Sequence, residues 1–122
     1  MAKTSLVGPD LELGEAVLSA LDDAGFPVTV ALWLQKTEEH RWELVISTPR
    51  YGDKDVYLQF TLAIRGRVPE VLVPVRIESN RHPMIQELRK IFGKTKSVKG
   101  MRLGLRTLGG TFINDGYVYR IK

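Results

Sequence analysis

The chain has 122 residues, a formal net charge of +4 and no cysteine. This length suits a single domain that buries a core without a metal or a disulfide. The absence of cysteine excludes disulfide scaffolds, thiolate zinc sites and cysteine nucleophiles, and it is compatible with a reducing cytoplasm. Since no apolar run approaches the ~20 residues of a membrane helix and the first residues lack a signal-peptide pattern, we expect a cytoplasmic protein with no membrane association.

The first predicted element is a helix that follows a flexible N-terminus over residues 1–9. Asp10 is the expected N-cap. Apolar residues then recur at helical spacing, at Leu13, Val17, Ala20, Leu21 and Ala24. Gly25 ends the helix, and Pro27 prevents its continuation. Residues 10–122 are expected to form one α+β domain.

Two strands with alternating polarity follow, over 28–35 and 41–48, and a short polar turn joins them. This pattern predicts an antiparallel hairpin. Trp33 has the opposite parity to Leu32 and Leu34, so it is the residue we expect to be exposed. An exposed tryptophan would mark a surface for a partner, whereas burial in the core is the more common fate of a strand tryptophan.

The segment 53–65 fits two structures. Apolar residues at every second position from Val56 to Ile64 favour a strand. Asp53 as a cap and Gly66 as a stop favour a helix. The residues alone leave both structures open.

The second half begins with an alternating strand over 71–77, in which Pro74 indicates an edge or a bulge. A helix follows, with Pro83 in its first turn and Gly93 at its end. His82 precedes this helix, and a capping or loop role is expected for it.

Three short strands are predicted to close the chain, over 101–107, 111–113 and 117–121. Gly109-Gly110 and Asp115-Gly116 are the expected turns between them. The order α-β-β-α-β-α-β-β-β, in which the element over 53–65 is a helix or a strand, predicts an α+β fold with a single-layer, mostly antiparallel sheet packed by two or three helices.

Charge is distributed unevenly along the chain. Residues 1–60 carry a net charge of −5, and residues 61–122 carry +9. The positive charge is concentrated in a basic segment over 89–106, whose candidate contacts for nucleic acid or an acidic partner are Lys90, Lys94, Lys96, Lys99, Arg102 and Arg106. Such residues reach phosphates without reading sequence, but Lys-rich loops also serve solubility alone.

The same segment contains Gly93-Lys94-Thr95, which ends like a phosphate-binding loop. That motif requires a second glycine five positions earlier and a helix that starts at the loop. Leu88 occupies the glycine position, and the segment follows a predicted helix. We therefore expect no nucleotide site.

Metal and acid–base sites have little support in the sequence. The chain has two histidines, His40 in a charged turn and His82 before a proline. Such sites need several convergent ligands or partners, and two isolated histidines do not supply them. We expect no metal, no cofactor and no enzymatic activity.

Two resemblances add to these inferences. The arrangement "LGEAVLSALDDAGFPVTVALWL", "RWELVISTPR", "HPMIQELRKIF" and "YVYRI" resembles a family of short uncharacterised bacterial proteins, which implies a helix after Pro49 and implies no activity. The ending "GGTFINDGYVYRIK" is similar to the closing strands of bacterial mRNA-cleaving toxins. That second resemblance implies roles in RNA cleavage for Tyr117, Tyr119 and Arg120.

Three hypotheses follow. The first is a small non-catalytic module that binds a protein partner or a second copy of itself, with edge strands near Pro74 and in the C-terminal hairpin available for pairing. The second is sequence-independent nucleic-acid binding through the basic segment. The third is a metal-independent ribonuclease.

Overall fold

The computed structural model describes residues 6–36, 41–68 and 74–122. Within these ranges the chain forms three helices and five strands. The helices are Gly8–Asp23 (α1), Val56–Ile64 (α2) and Pro83–Phe92 (α3), and the strands are Val30–Lys36 (β1), Trp42–Thr48 (β2), Val75–Ser79 (β3), Arg106–Leu108 (β4) and Thr111–Ile121 (β5). No helix in the described ranges has the length and apolar character needed to cross a membrane.

The strands form one sheet in the order β3-β2-β1-β5-β4. The β1–β2 hairpin is antiparallel, as predicted, and β5 pairs antiparallel with both β1 and β4. Among the described strands, only β2 and β3 are parallel, because the chain crosses through α2 between them. The fold is therefore α+β with a mostly antiparallel sheet, as the sequence predicts.

Helices cover the central part of the sheet on both faces. On one face, α1 and α2 pack against alternate strand residues, and Trp33, Leu44 and Ile46 are among these. On the other face, α3 packs against the intervening residues, which include Leu32, Leu34 and Val45. The core therefore has two parts, one on each side of the central strands.

This double coverage makes the prediction of an exposed Trp33 wrong. Trp33 is 0% exposed, and its indole Nε1 donates a hydrogen bond of 3.0 Å to the Tyr119 hydroxyl. Alternating polarity identifies an exposed residue only where one face of the sheet meets water. Since α1 covers the face that was assigned to solvent, both parities of β1 are apolar and buried.

The C-terminal region has two strands in the place of the predicted three. Residues 111–121 form one continuous strand, and the segment 101–105 makes only an isolated bridge between Arg102 and Tyr117. The predicted turn at Asp115-Gly116 is wrong, because both residues pair with β1. The Gly109-Gly110 turn is confirmed, and both glycines have positive φ.

The start of α1 differs slightly from the prediction. The helix begins at Gly8, and Asp10 lies in its first turn, where its carboxylate accepts the backbone N–H of Val7 at 3.0 Å. An acidic side chain in this position satisfies a free N–H group and interacts favourably with the helix dipole.

The edges of the sheet lie where the sequence suggested. β3, which begins just after Pro74, forms one edge, and the short β4 forms the other. The predicted strand residues 71–73 lie outside the described residues. The Tyr57 hydroxyl accepts the Ile77 N–H at 3.2 Å, so a side chain from α2 caps part of the β3 edge.

Candidate interaction surface

Helix α2 is anchored by two side chains one turn apart. Val56 and Phe60 are each 6% exposed, and Phe60 packs edge-to-face on Phe26 with 6.3 Å between the ring centroids. Helical periodicity then places Leu58 and Leu62 on the opposite side, again one turn apart. They are 56% and 55% exposed. A helix with apolar residues on both sides normally has a covering on both sides.

Opposite charges stand at the two ends of this outer face. Asp55 is the N-cap of α2, and Arg65 is its C-cap. Asp55 accepts a 2.8 Å hydrogen bond from the Gln59 side chain, whereas no carboxylate pairs with Arg65 in the described part of the chain. We call Asp55, Leu58, Leu62 and Arg65 the α2 surface.

A shallow recess of about 300 Å³ adjoins the α2 surface. It is lined by Ala24, Phe26, Arg50, Gln59, Leu62 and Ala63. The recess lies where the end of α1 meets α2, and it has room for an apolar side chain beside Leu62.

The six candidate residues of the basic segment are not equivalent in the structure. Lys99 Nζ lies 2.6 Å from Glu15 of α1, and Arg102 pairs with Asp115. The guanidinium of Arg106 lies 5.7 Å from the centre of the Phe92 ring on the α3 side of the sheet. The paired Lys99 and the stacked Arg106 therefore lie on different faces.

The remaining three candidates are exposed. Lys90 is in the last turn of α3, and Lys94 and Lys96 follow the helix. Among the residues that the structure describes, none of the three has a carboxylate partner. These three lysines and Arg106 are the part of the basic segment that is available to an anion.

The two ion pairs alter the ionisation of their members. The hydrogen bond that Lys99 donates to the Glu15 carboxylate raises the pKa of Lys99. Partial burial of Asp115 opposes ionisation, but hydrogen bonds from Arg102 and from the backbone N–H groups of Gly116 and Gly104 outweigh it and lower the pKa of Asp115.

A second recess, of about 270 Å³, lies between α1 and β5. Its walls are Glu15, Leu18, Ser19, Asp22, Lys99, Tyr119 and Arg120. Its charged groups form two ion pairs, Arg120 with Asp22 at 2.7 Å and Lys99 with Glu15 at 2.6 Å. The hydrogen bond from Arg120 lowers the pKa of Asp22.

The residues that resemble a toxin site have structural partners here. The Tyr119 hydroxyl accepts from Trp33 and donates to the Leu11 carbonyl at 2.7 Å. Burial raises the pKa of Tyr119, so the phenol remains neutral. Tyr117 stacks edge-on against Tyr119 with ring centroids 5.3 Å apart.

The remaining candidates for chemistry have local roles or lie outside the described residues. His82 accepts the Met84 N–H through Nδ1 at 3.2 Å, so its predicted capping role at α3 is confirmed. His40 lies outside the described residues. Gly93 is the C-cap of α3, and Gly93-Lys94-Thr95 therefore follows a helix, unlike a phosphate-binding loop. Across 6–36, 41–68 and 74–122, no three His, Asp or Glu side chains converge as metal ligands would.

The sequence reasoning missed Leu58 and Leu62 as candidate contacts. The signal was present, because a helix over 53–65 with Val56 and Phe60 inside must place Leu58 and Leu62 outside. The ambiguity between helix and strand concealed it, since the strand alternative puts Val56, Leu58, Phe60 and Leu62 on one face.

Comparisons with known proteins supply no relative that would carry a function to this chain. No protein-family model, no curated protein and no solved structure matches it.

Proposed function

We propose that this chain is a small non-catalytic module that binds a protein partner through the α2 surface. The observation that carries the proposal is the pair of leucines, each more than half exposed on a helix whose other side is anchored in the core. Covering the exposed half of a leucine side chain contributes roughly 1 kcal/mol. A patch with an apolar centre and charged ends has the composition of a protein interface.

The arrangement of the polar side chains supports a role without chemistry. The hydroxyl of the buried Tyr119 both accepts and donates a hydrogen bond, and the nearby carboxylates of Glu15 and Asp22 are held in ion pairs. His82 is occupied as a helix cap. A catalytic site requires a nucleophile, base or acid with a free position for substrate, and these groups are already engaged.

A site-specific cross-linking experiment tests the α2 surface. A photoreactive amino acid at position 58 should give a covalent adduct with a protein in cells that express the chain. The same amino acid at position 105 is the control, because Leu105 is 68% exposed and precedes β4 at the sheet edge opposite β3. Equal labelling from both positions, or none from position 58, would contradict the proposal.

A second candidate function is sequence-independent nucleic-acid binding through the available part of the basic segment. The observation that favours it is that Lys90, Lys94 and Lys96 are exposed and unpaired in the described structure, close to the end of α3. Lysines in this arrangement release counterions from phosphates. With three or four contacts, log K should fall against log salt with a slope of about −3 to −4.

A salt titration with matched lysine variants tests this candidate. Lys94→Ala should reduce the slope by about 0.9 because one phosphate contact is lost. Lys99→Ala removes the same formal charge, but Lys99 already pairs with Glu15, so the slope should stay near that of the parent chain. The absence of binding to single- and double-stranded oligonucleotides at low salt would rule the function out.

A further inference from the structure

We infer that the partner of the α2 surface is a second copy of the chain, with the two α2 helices packed antiparallel across a twofold axis. This inference rests on the proposed role of the α2 surface as a binding site.

The apolar centre of the surface is self-complementary. When the axis passes level with Phe60, Leu58 of one copy lies opposite the partner's Leu62, and by symmetry the reverse contact also forms. The four leucine side chains then cover one another. The recess beside Leu62 offers space for the facing side chain.

The charges at the ends of α2 match in the same register. Asp55 and Arg65 stand equally far from Phe60, on opposite sides of it, so Asp55 of one copy lies level with the partner's Arg65. The twofold axis creates this opposite-charge pair twice. Lys54 falls level with Gly66, which carries no charge. A parallel pairing would instead bring Asp55 close to the partner's Asp55.

Two further observations favour this helix pairing over edge-strand pairing. The Ile77 N–H on the β3 edge is already bound by the Tyr57 hydroxyl, and β4 has only three residues. The guanidinium of Arg65 has no carboxylate partner among the described residues of its own chain, so it is available to pair with the partner's Asp55.

The interface is small. A nine-residue helix spans about 13.5 Å, so we expect a weak dimer whose population depends on concentration. Sedimentation equilibrium of the purified chain between about 1 µM and about 1 mM covers the range of weak dissociation constants. The molar mass should rise from that of one chain towards that of two.

Charge reversal tests the register. Asp55→Arg and Arg65→Asp each convert both end pairs into like-charge pairs, and each should weaken self-association by about tenfold. An equimolar mixture of the two variants should restore association, because the heterodimer again contains two opposite-charge pairs. This rescue also shows that both variants are folded. Lys96→Asp reverses an exposed charge beyond α3, away from α2, and serves as the matched control that leaves dimerisation unchanged.

The outcomes separate the inference from the proposed function. A monomer at every concentration overturns the inference, and so does a dimer that is indifferent to both reversals or is not restored by mixing. If the adduct from position 58 contains a different protein, the α2 surface keeps its binding role and only the second copy is excluded. An adduct with the mass of two chains supports both.

Discussion

Tyr119 shows how one residue connects layers of this fold. Its hydroxyl joins the indole of Trp33 on β1 to the carbonyl of Leu11 in α1. Gly14 lies directly over it, and a Cβ at position 14 would overlap the phenol oxygen. The glycine is therefore required by the close approach of α1 to β5.

Removal of this hydroxyl should destabilise the chain. Tyr119→Phe leaves the buried Trp33 N–H without its acceptor, which costs about 1–3 kcal/mol of unfolding free energy. Urea unfolding measures the change. Tyr51→Phe is the control, because Tyr51 is 44% exposed, and its variant should unfold like the parent chain. Equal stability of Tyr119→Phe and the parent would show that the bridge contributes nothing.

Asp115 predicts a dependence of stability on pH. Its pKa is lowered in the folded chain, so its contribution is present above the ordinary value of 3.8 and is lost as the pH falls below it. Asp115→Asn should reduce the unfolding free energy by about 1 kcal/mol at pH 7, since its partner Arg102 is largely exposed. The difference from the parent should vanish at the lowest pH that permits urea unfolding. A difference that persists unchanged in acid would assign the effect to packing instead.

At the scale of elements, α2 has one face packed in the core and an exposed face that we propose for binding. Leu58→Gln and Leu62→Gln retain helix propensity. Each should change the unfolding free energy by no more than about 0.5 kcal/mol, measured at a concentration where the chain is monomeric. Phe60→Ala should cost about 3–5 kcal/mol because it opens a cavity in the core. A large loss from either leucine variant would place that leucine in the fold instead of the interface.

The same helix shows how far the sequence predicts an element. Seven of the nine residues from Val56 to Ile64 are apolar, so this stretch fits both the helical and the strand period. The tertiary structure decides for the helix, because Val56 and Phe60 pack into the part of the core that α1 covers. In contrast, α1 and α3 are evident from their spacing and from the prolines and glycines at their ends.

The whole molecule has separated charge. α1 carries five acidic residues and no basic one, whereas residues 81–106 carry eight Lys or Arg and one Glu. These parts lie mainly on opposite sides of the sheet. Ion pairs at the boundary, such as Glu15–Lys99, reduce the separation without removing it.

This separation predicts chromatographic behaviour. The double variant Lys90→Ala with Lys94→Ala should elute from a cation exchanger at distinctly lower salt than the parent, because both charges are exposed and unpaired in the described structure. Arg67→Ala with Arg120→Ala loses the same formal charge from paired residues and should shift less. Identical shifts would show that only net charge matters.

The sequence by itself determined the type and order of most elements, the antiparallel hairpin, a capping or loop role for His82 and the failure of Gly93-Lys94-Thr95 to match a phosphate-binding motif. These follow from periodicity and from local backbone chemistry, which act within a few residues. The tertiary structure decided that Trp33 is buried, that Asp115-Gly116 is strand and that Lys99 and Arg102 are paired while Lys90, Lys94 and Lys96 are not. Each of these depends on a neighbour distant in sequence, such as α1 over Trp33 or β1 beside Asp115, and local spacing contains no information about such neighbours.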